Sequence, residues 1–469
     1  MVMTEMIDAA MSEFKENVLV SCGEAVDKPL TPGLAEGVAR GIREALMAAG
    51  RAAYKTYLES KEETRDIVVV DGEPYRFKQF SVKRFVSLFG HMEMRRKLFQ
   101  NGPDTKSCFP LDEAWGMSDE YLTVEVREAS AFASAHMTPE ESARLFEKSA
   151  TFQPHPTQIK RALERIASRV APAQEALDEY IREEEGVPEG TRVLVASMDG
   201  ANVLLGEAGK KHGRPAERPT GGADKEPASS YRNAMVGSVS FYGEVPEGQS
   251  CPQRLASRYV SHMPEERAVT FKKVFEAEVG HAIAAVGEDV VKVLLCDGAR
   301  PLWKYAEENP LFEDFRMLID YCHAAEHLSL ASEALFGKGS EEAKVWYRKY
   351  ATKLKKEEHG VRKLLQSMDY YAKALKLPVA RQRDLATQRT FFSRNQAKMN
   401  YAEFRKEGLP IGSGPIEAAC KTIVKARLCR SGMRWSREGG QRILDLRTYV
   451  KSNRWDAFWA KYKELKCAA

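Results

Sequence analysis

The chain has 469 residues, 43% of them hydrophobic and 29% charged, with a formal net charge of +4. That length and composition describe an ordinary globular protein of about two to four domains, with enough apolar material for sizeable cores. No stretch reaches the ~18 apolar residues of a membrane span, and the eight cysteines form no C-x-x-C pair, so neither a disulfide framework nor a zinc ribbon is supported.

The first twenty residues carry early acids and no long apolar run. They do not read as a signal peptide. The expectation is a soluble, cytoplasmic chain with free thiols. Charge is distributed unevenly. Residues 331–469 hold 31 Lys and Arg against 14 Asp and Glu, a net of +17, and the first 330 residues carry a net of −13. The basic C-terminal part points to a polyanionic partner, although a set of solvated Lys-rich helices would give the same count.

Taken in order, residues 1–60 predict helices, with apolar positions at helical spacing after Gly33. Residues 66–100 predict strands alternating about Gly-containing turns. At 138–168 two helices are expected. Thr138-Pro139-Glu140-Glu141 supplies a cap, Pro at the first position and Glu at the third, and a second helix begins at a Thr cap after "FQPHPT". The second helix carries Lys160, Arg161 and Arg165. It reads either as the groove-entering helix of a helix-turn-helix or as half of a plain helical hairpin.

"RVLVASMDGANVLL" (192–205) has a buried-strand pattern ending at Asp199, and the Gly/Pro/charge-rich 206–230 predicts a mobile loop. A strand at 231–243, a helix at 264–286, a strand at 289–299 ending at Asp297, and a helix then a strand ending near Asp320 follow. Such alternation predicts a mixed α/β sheet. Residues 328–405 predict basic helices, and two more helices follow at 415–430 and 436–452.

Asp199 and Asp297 each end an apolar strand and precede a glycine. Ligand sites in open α/β sheets gather at such carboxyl ends. Two carboxylates sharing one place repel unless a cation lies between them, and oxygen donors without a neighbouring Cys or His pair suit Mg²⁺ or Mn²⁺. An Asp-Gly pair after a strand is also a common turn.

Glu417 is the one acid in "GSGPIEAACKTIVKARLCRSGMRW" (412–435). With Gly414 as cap and Pro415 first, Glu417 is a favourable first-turn acid. It would equally serve as a third carboxylate facing the two aspartates, completing a two-metal centre for phosphoryl displacement. Lys421, Lys425, Arg427 and Arg430 could then hold a phosphate backbone, with Arg434 and Trp435 reaching or stacking on a base. His323 and Trp435 each also read as packed structural residues.

In this order of acids the chain resembles bacterial insertion-sequence transposases with a ribonuclease-H-like core, and within them the ISKra-type family. The resemblance is carried by "SMDG" (197–200), "LLCDGA" (294–299), "DYCHAAEHL" (320–328), "GLPIGSGPIEAACKTIVKARLCRSGMRWSREGGQRILDLR" (408–447) and "SNRWDAFW" (452–459). It covers roughly residues 190–469. The resemblance implies an Asp-Asp-Glu triad of Asp199, Asp297 and Glu417 binding two Mg²⁺ or Mn²⁺ ions. Asp320 and His323 would lie beside it, His323 toward the scissile phosphate or a flanking base. It further implies a helical insertion at 328–405. Relatives tend to carry Cys pairs after the N-terminal strands; here only Cys108 stands in that segment, which departs from a zinc module.

The implied architecture is α/β, a ribonuclease-H-like mixed sheet with flanking helices. The expected divisions are an N-terminal helical region (1–65), a hairpin plus helix-turn-helix-like region (66–190), the core (191–327 and 406–450), the insertion (328–405) and a tail (451–469). The implied activity is cleavage and joining of phosphodiesters at the element's ends. Its partners would be double-stranded DNA (terminal inverted repeats and target) and a second copy of the chain, near the nucleoid and with no membrane. The rival readings are a metal-dependent structure-specific nuclease and a non-catalytic DNA-binding derivative.

Overall fold

In a computed structural model of the chain, residues 2–103, 105–149, 152–206 and 231–465 are described. The expected loop at 206–230 lies outside them except for Gly206. The chain divides into two compact units, Met1–Ala173 with Tyr462–Ala469, and Gln174–Lys461.

In the first unit α1 (Val2–Val26) packs on α2 (Pro32–Glu59), whose cap Thr31 accepts from Leu34 N at 3.2 Å. Strands β1 (Ile67–Val70), β2 (Glu73–Ser87) and β3 (Gly90–Gln100) form an antiparallel sheet in that order. Asp71 and Gly72 both have positive φ, 51° and 84°, the pairing that a two-residue hairpin turn requires. Lys83 and Arg96 are buried on the inner face and both meet Asp112, at 3.0 and 2.8 Å. Asp112 lies on the short α3 (Pro110–Ala114).

Three helices follow, α4 (Val124–His136), α5 (Pro139–Lys148) and α6 (Pro156–Val170). The capping box between Thr138 and Glu141 forms as the sequence predicts. The start of α6 differs. His155 is the cap, accepting from Thr157 N at 3.2 Å, and Thr157 lies inside the helix. The imidazole nitrogen substitutes for a hydroxyl, and Pro156 fixes the first helical φ.

The second unit opens with α7 (Gln174–Glu183) and is built on five strands: β4 (Val193–Leu204), β5 (Tyr231–Tyr242), β6 (Arg254–His262), β7 (Val291–Cys296) and β8 (Arg316–Ile319). Their order is β6-β5-β4-β7-β8, antiparallel across β6-β5-β4 and parallel across β4-β7-β8. Sequence reading missed β6, whose pattern is obscured by Arg258. That arginine is 5% exposed and is neutralised by Glu185 at 2.9 Å. The helix expected from 264 accordingly begins later, as α8 (Val269–Ala285), and α9 (Arg300–Glu308) links β7 to β8.

Alternation along β4 and β5 assigns the two faces of the sheet. Gly237, opposite Met198, lies under α8: a Cβ there would come 2.5 Å from Phe275 Cδ2. Asp199, one residue on, belongs to the other face.

The remaining helices are α10 (Tyr321–Phe336), α11 (Glu341–Lys356), α12 (Gly360–Ala374), α13 (Val379–Arg394) and α14 (Tyr401–Lys406). They are followed by α15 (Gly414–Ala419), a π-helical segment (Cys420–Lys425), α16 (Ala426–Leu428), α17 (Arg437–Lys451) and α18 (Trp455–Glu464). The 328–405 segment is helical, as read. Its Trp346, Leu364 and Phe392 belong to the same hydrophobic cluster as Val195, Phe275 and Leu294 of the sheet layer. Among the described residues no helix is long and apolar enough to cross a membrane.

Candidate active site

Three aspartates fall in a row across the sheet, just beyond the parallel pairing of β4, β7 and β8. Ala196 of β4 is level with Leu294 of β7, and Cys296 of β7 with Ile319 of β8. Carrying both registers forward sets Asp199, Asp297 and Asp320 side by side, one per strand, on strands about 4.8 Å apart. Residues level in a parallel pair project to the same face, here the face opposite α8. Asp199 is not the end of its strand, since β4 runs on to Leu204. Asp199-Gly200 is therefore strand, not turn.

Buried Cys296 lies near two of these aspartates, Asp297 and Asp199. Its thiol is pushed up to about 12, first by burial and then by the charges of Asp297 and Asp199.

The three carboxylates are used differently. Asp199 and Asp297 are partly exposed, and each has one oxygen taken by a nearby backbone N–H, from Gly200 at 2.6 Å and Ala299 at 2.9 Å. Asp320 is 2% exposed and both its oxygens are occupied. Oδ2 accepts from His323 N at 2.9 Å, capping α10, and Oδ1 accepts from Ser413 N at 2.8 Å. Tyr321 N donates to Ile411 O at 2.9 Å. Asp320 therefore anchors the backbone that leads into the helix bearing Glu417.

That helix begins one residue earlier than the sequence suggests, with Ser413 as cap and Pro415 in the second position. Glu417 is partly exposed and 3.7 Å from Lys421, one turn on. Three residues after Glu417 the chain reaches Asp199: Cys420 Sγ donates to Asp199 Oδ2 at 3.5 Å. Burial first, then Asp199, raises the Cys420 thiol, and Glu417 adds to the effect. The Glu417 helix is thus fastened at one end to Asp320 and at the other to Asp199.

The helix then passes into π geometry, a form frequent at functional sites. Arg447 of α17, 4% exposed, explains how the irregular register is tolerated, because it donates to Ile423 O at 2.7 Å and to Thr422 O. Burial lowers the Arg447 guanidinium to about 10, with Arg427 and Arg430 contributing.

Of the other predicted residues, His323 lies beside the row. A Cβ on Gly298 would stand 3.3 Å from His323 Nε2 and 2.4 Å from Phe391 Cε2, so the residue after Asp297 must be glycine for α13 to approach. His327 stacks on Phe391 at 3.6 Å and meets Gln388 at 2.6 Å.

Lys421 and Lys425 are exposed, as is Arg434, and Arg430 is partly buried with Nε on Ala426 O at 3.1 Å. Arg427 is a correction: it is 2% exposed, its guanidinium lying 5.1 Å over the Trp435 ring, and so it does not face a phosphate backbone. Trp435 is likewise packed. Arg427 covers a ring face, the indole N–H donates to Leu428 O at 3.0 Å, and its backbone bridges β4 through Leu204 and Gly206.

In the first unit Lys160 and Arg161 are exposed on α6. Arg165, partly exposed, pairs with Glu120 at 3.0 Å.

The hard oxygen donors present suit a divalent cation of the Mg²⁺ type. Among the described residues no three His, Cys, Asp or Glu side chains close around one point as they stand. Like charges with nothing between them are expected to stand apart. Sequence reading missed Cys420 and Gly298, whose significance depends on partners distant in sequence.

No protein family and no curated protein matches the chain. Among solved structures, one match is a chain of the Drosophila P element transposase strand transfer complex, with 11% identity, TM-score 0.26, and coverage of 74% of this chain and 82% of that one.

Proposed function

We propose that the chain is a metal-dependent DNA-processing enzyme, a transposase of the insertion-sequence type its motifs resemble. The observation that supports this is the level placement of Asp199 and Asp297 on adjacent parallel strands, faced by the Glu417 helix that is tied to both flanks of the row. The strand order, an antiparallel trio extended by two parallel strands, is that expected of a ribonuclease-H-like core.

Asp199, Asp297 and Glu417 would hold the Mg²⁺ or Mn²⁺ ions. Bound there, the ions would supply activation of water or a 3′-hydroxyl and stabilise charge on the attacked phosphodiester. Asp320 takes no part as a ligand in this reading, since both its oxygens serve backbone N–H groups. Duplex DNA, as element ends and target, is the proposed substrate, held by Lys421, Lys425 and Arg434.

An end-labelled cleavage assay on DNA flanking the gene, with Mg²⁺ or Mn²⁺, tests the proposal. Glu417→Ala should lower cutting at least about a hundredfold, the scale of losing a metal's several kcal/mol of transition-state stabilisation. Cuts scattered over unrelated DNA would favour a nuclease. DNA binding without any cut under either metal would overturn the enzymatic reading.

A further inference from the structure

Lys355 lies in the last turn of α11, within the helical segment 328–405, far in sequence from every acid of the row. The structure brings it to them. Tyr321, the residue after Asp320, donates its hydroxyl to Ala351 O at 3.0 Å. One turn further along α11, Lys355 Nζ stands over the same tyrosine ring, 5.2 Å from its centroid. The end of α11 is thereby fixed against the start of α10, where Asp320, Cys322 and His323 sit. Cys322 lies in the field of Asp320, Glu417 and Lys355 together, after burial, which is its largest influence. One small neighbourhood thus holds two of the acids and this amine.

The acids close to Lys355 in sequence are already paired. Glu357 is met by Lys353 at 3.4 Å and Lys363 at 2.8 Å, and Glu358 by Lys406 at 2.6 Å. Among the described residues Lys355 has no carboxylate within ion-pair distance, and its Nζ lies over the Tyr321 ring. A lysine at a helix C-terminus complements the helix dipole, but Lys353 and Lys356 occupy the same turn. The dipole therefore does not explain why this amine is held over an aromatic ring beside an acidic row. A row of acids cannot itself attract a polyanion. A partly buried cation at its margin supplies that attraction.

We propose that Lys355 is a phosphate-binding residue, contacting a non-bridging oxygen of the nucleic-acid strand held at the aspartate row. This rests on the DNA-processing reading above and extends it to the helical insertion. Lys355→Met keeps the aliphatic stem over Tyr321 and removes the charge. Lys355→Arg keeps the charge, and Lys356→Met, on the exposed neighbour, is the control.

Binding of a fluorescent mixed-sequence duplex with a central nick is measured across a salt series with Ca²⁺, and cutting of the same duplex with Mn²⁺. Each phosphate contact contributes about 0.9 to the slope of log affinity against log salt. Lys355→Met should lower that slope by about this amount, Lys355→Arg should restore it, and Lys356→Met should leave it as in the wild type.

A Lys355→Met slope equal to the wild-type slope, in protein that binds and cuts, overturns the Lys355 assignment and leaves the enzymatic reading standing. The expected slope change in protein that never cuts keeps the phosphate contact and overturns the enzymatic reading. A wild-type chain that does not bind the duplex overturns both.

Discussion

Replacing Asp320 separates a positioning carboxylate from a metal ligand. In the wild type one oxygen takes His323 N at 2.9 Å and the other takes Ser413 N at 2.8 Å, in a residue 2% exposed. Asparagine caps helices as well as aspartate does, so Asp320→Asn should keep the bond to His323 N. Its amide NH₂ would then face Ser413 N–H, donor against donor. An orphaned buried donor costs about 1–3 kcal/mol, and Asp320→Asn should destabilise by that amount. Asp320→Ala removes the cap as well, about 1 kcal/mol more, for a total of about 2–4 kcal/mol.

Urea unfolding followed by tryptophan fluorescence reads this well, because five of the six tryptophans (Trp303, Trp346, Trp435, Trp455 and Trp459) lie in the second unit. Cutting with Mn²⁺ should fall alongside stability, since Ser413 leads directly into the Glu417 helix. If Asp320→Asn unfolded at the wild-type urea concentration while cutting was abolished, Asp320 would be acting on the metal. The division of labour along the row would then be wrong.

Two further outcomes are expected. Arg454, 7% exposed, binds Glu185 at 2.6 Å and Glu278 at 2.6 Å, and Glu278 is 1% exposed. Arg454→Met leaves a buried carboxylate uncompensated and should cost about 3–5 kcal/mol in urea unfolding, with Arg454→Met/Glu278→Leu recovering much of the loss. Asp445 is raised from 3.8 to about 7, first by burial and further by Asp178, against the amide of Gln441 at 2.7 Å. Its folded state holds the proton more tightly than its unfolded state, so its contribution favours the fold below about pH 4 and is lost as pH rises through about 7, by up to about 4 kcal/mol. Asp445→Asn should therefore melt higher than wild type at pH 8 and much closer to it at pH 4.5; equal melting at pH 8 would refute the assignment.

The parts of this site legible in sequence are those set by local periodicity. The apolar runs before Asp199 and Asp297 lie in buried strands, and Gly-Pro before Glu417 falls in the first turn of a helix, where proline is favoured. What sequence did not disclose depends on contacts across long chain separations. Asp320 is used by a backbone amide 93 residues away. The π segment is sustained by an arginine on another helix. Basic composition alone could not tell Lys421, which is exposed, from Arg427, which is buried under Trp435. Strand β6 escaped because its buried arginine breaks the apolar pattern, and only the pairing with Glu185 makes that burial tolerable.

The sheet and the helices at 328–405 share a single core, and within it the groups of the site rest on one another. Asp199 and Asp297 need only the sheet. Glu417 needs Asp320 to hold its lead-in, and Asp320 is placed by β8 pairing with β7 through Asp320 N on Cys296 O at 2.9 Å. Lys355 needs α10 to have started at Asp320, because its supporting ring is Tyr321. Each later group thus depends on the one before it, and Asp320 is common to the two that arrive from outside the sheet. The substitution that disturbs the most of the site should therefore be that of Asp320, the aspartate whose two oxygens both serve backbone N–H groups. Asp320→Ala should lower both the salt slope of duplex binding and the rate of cutting.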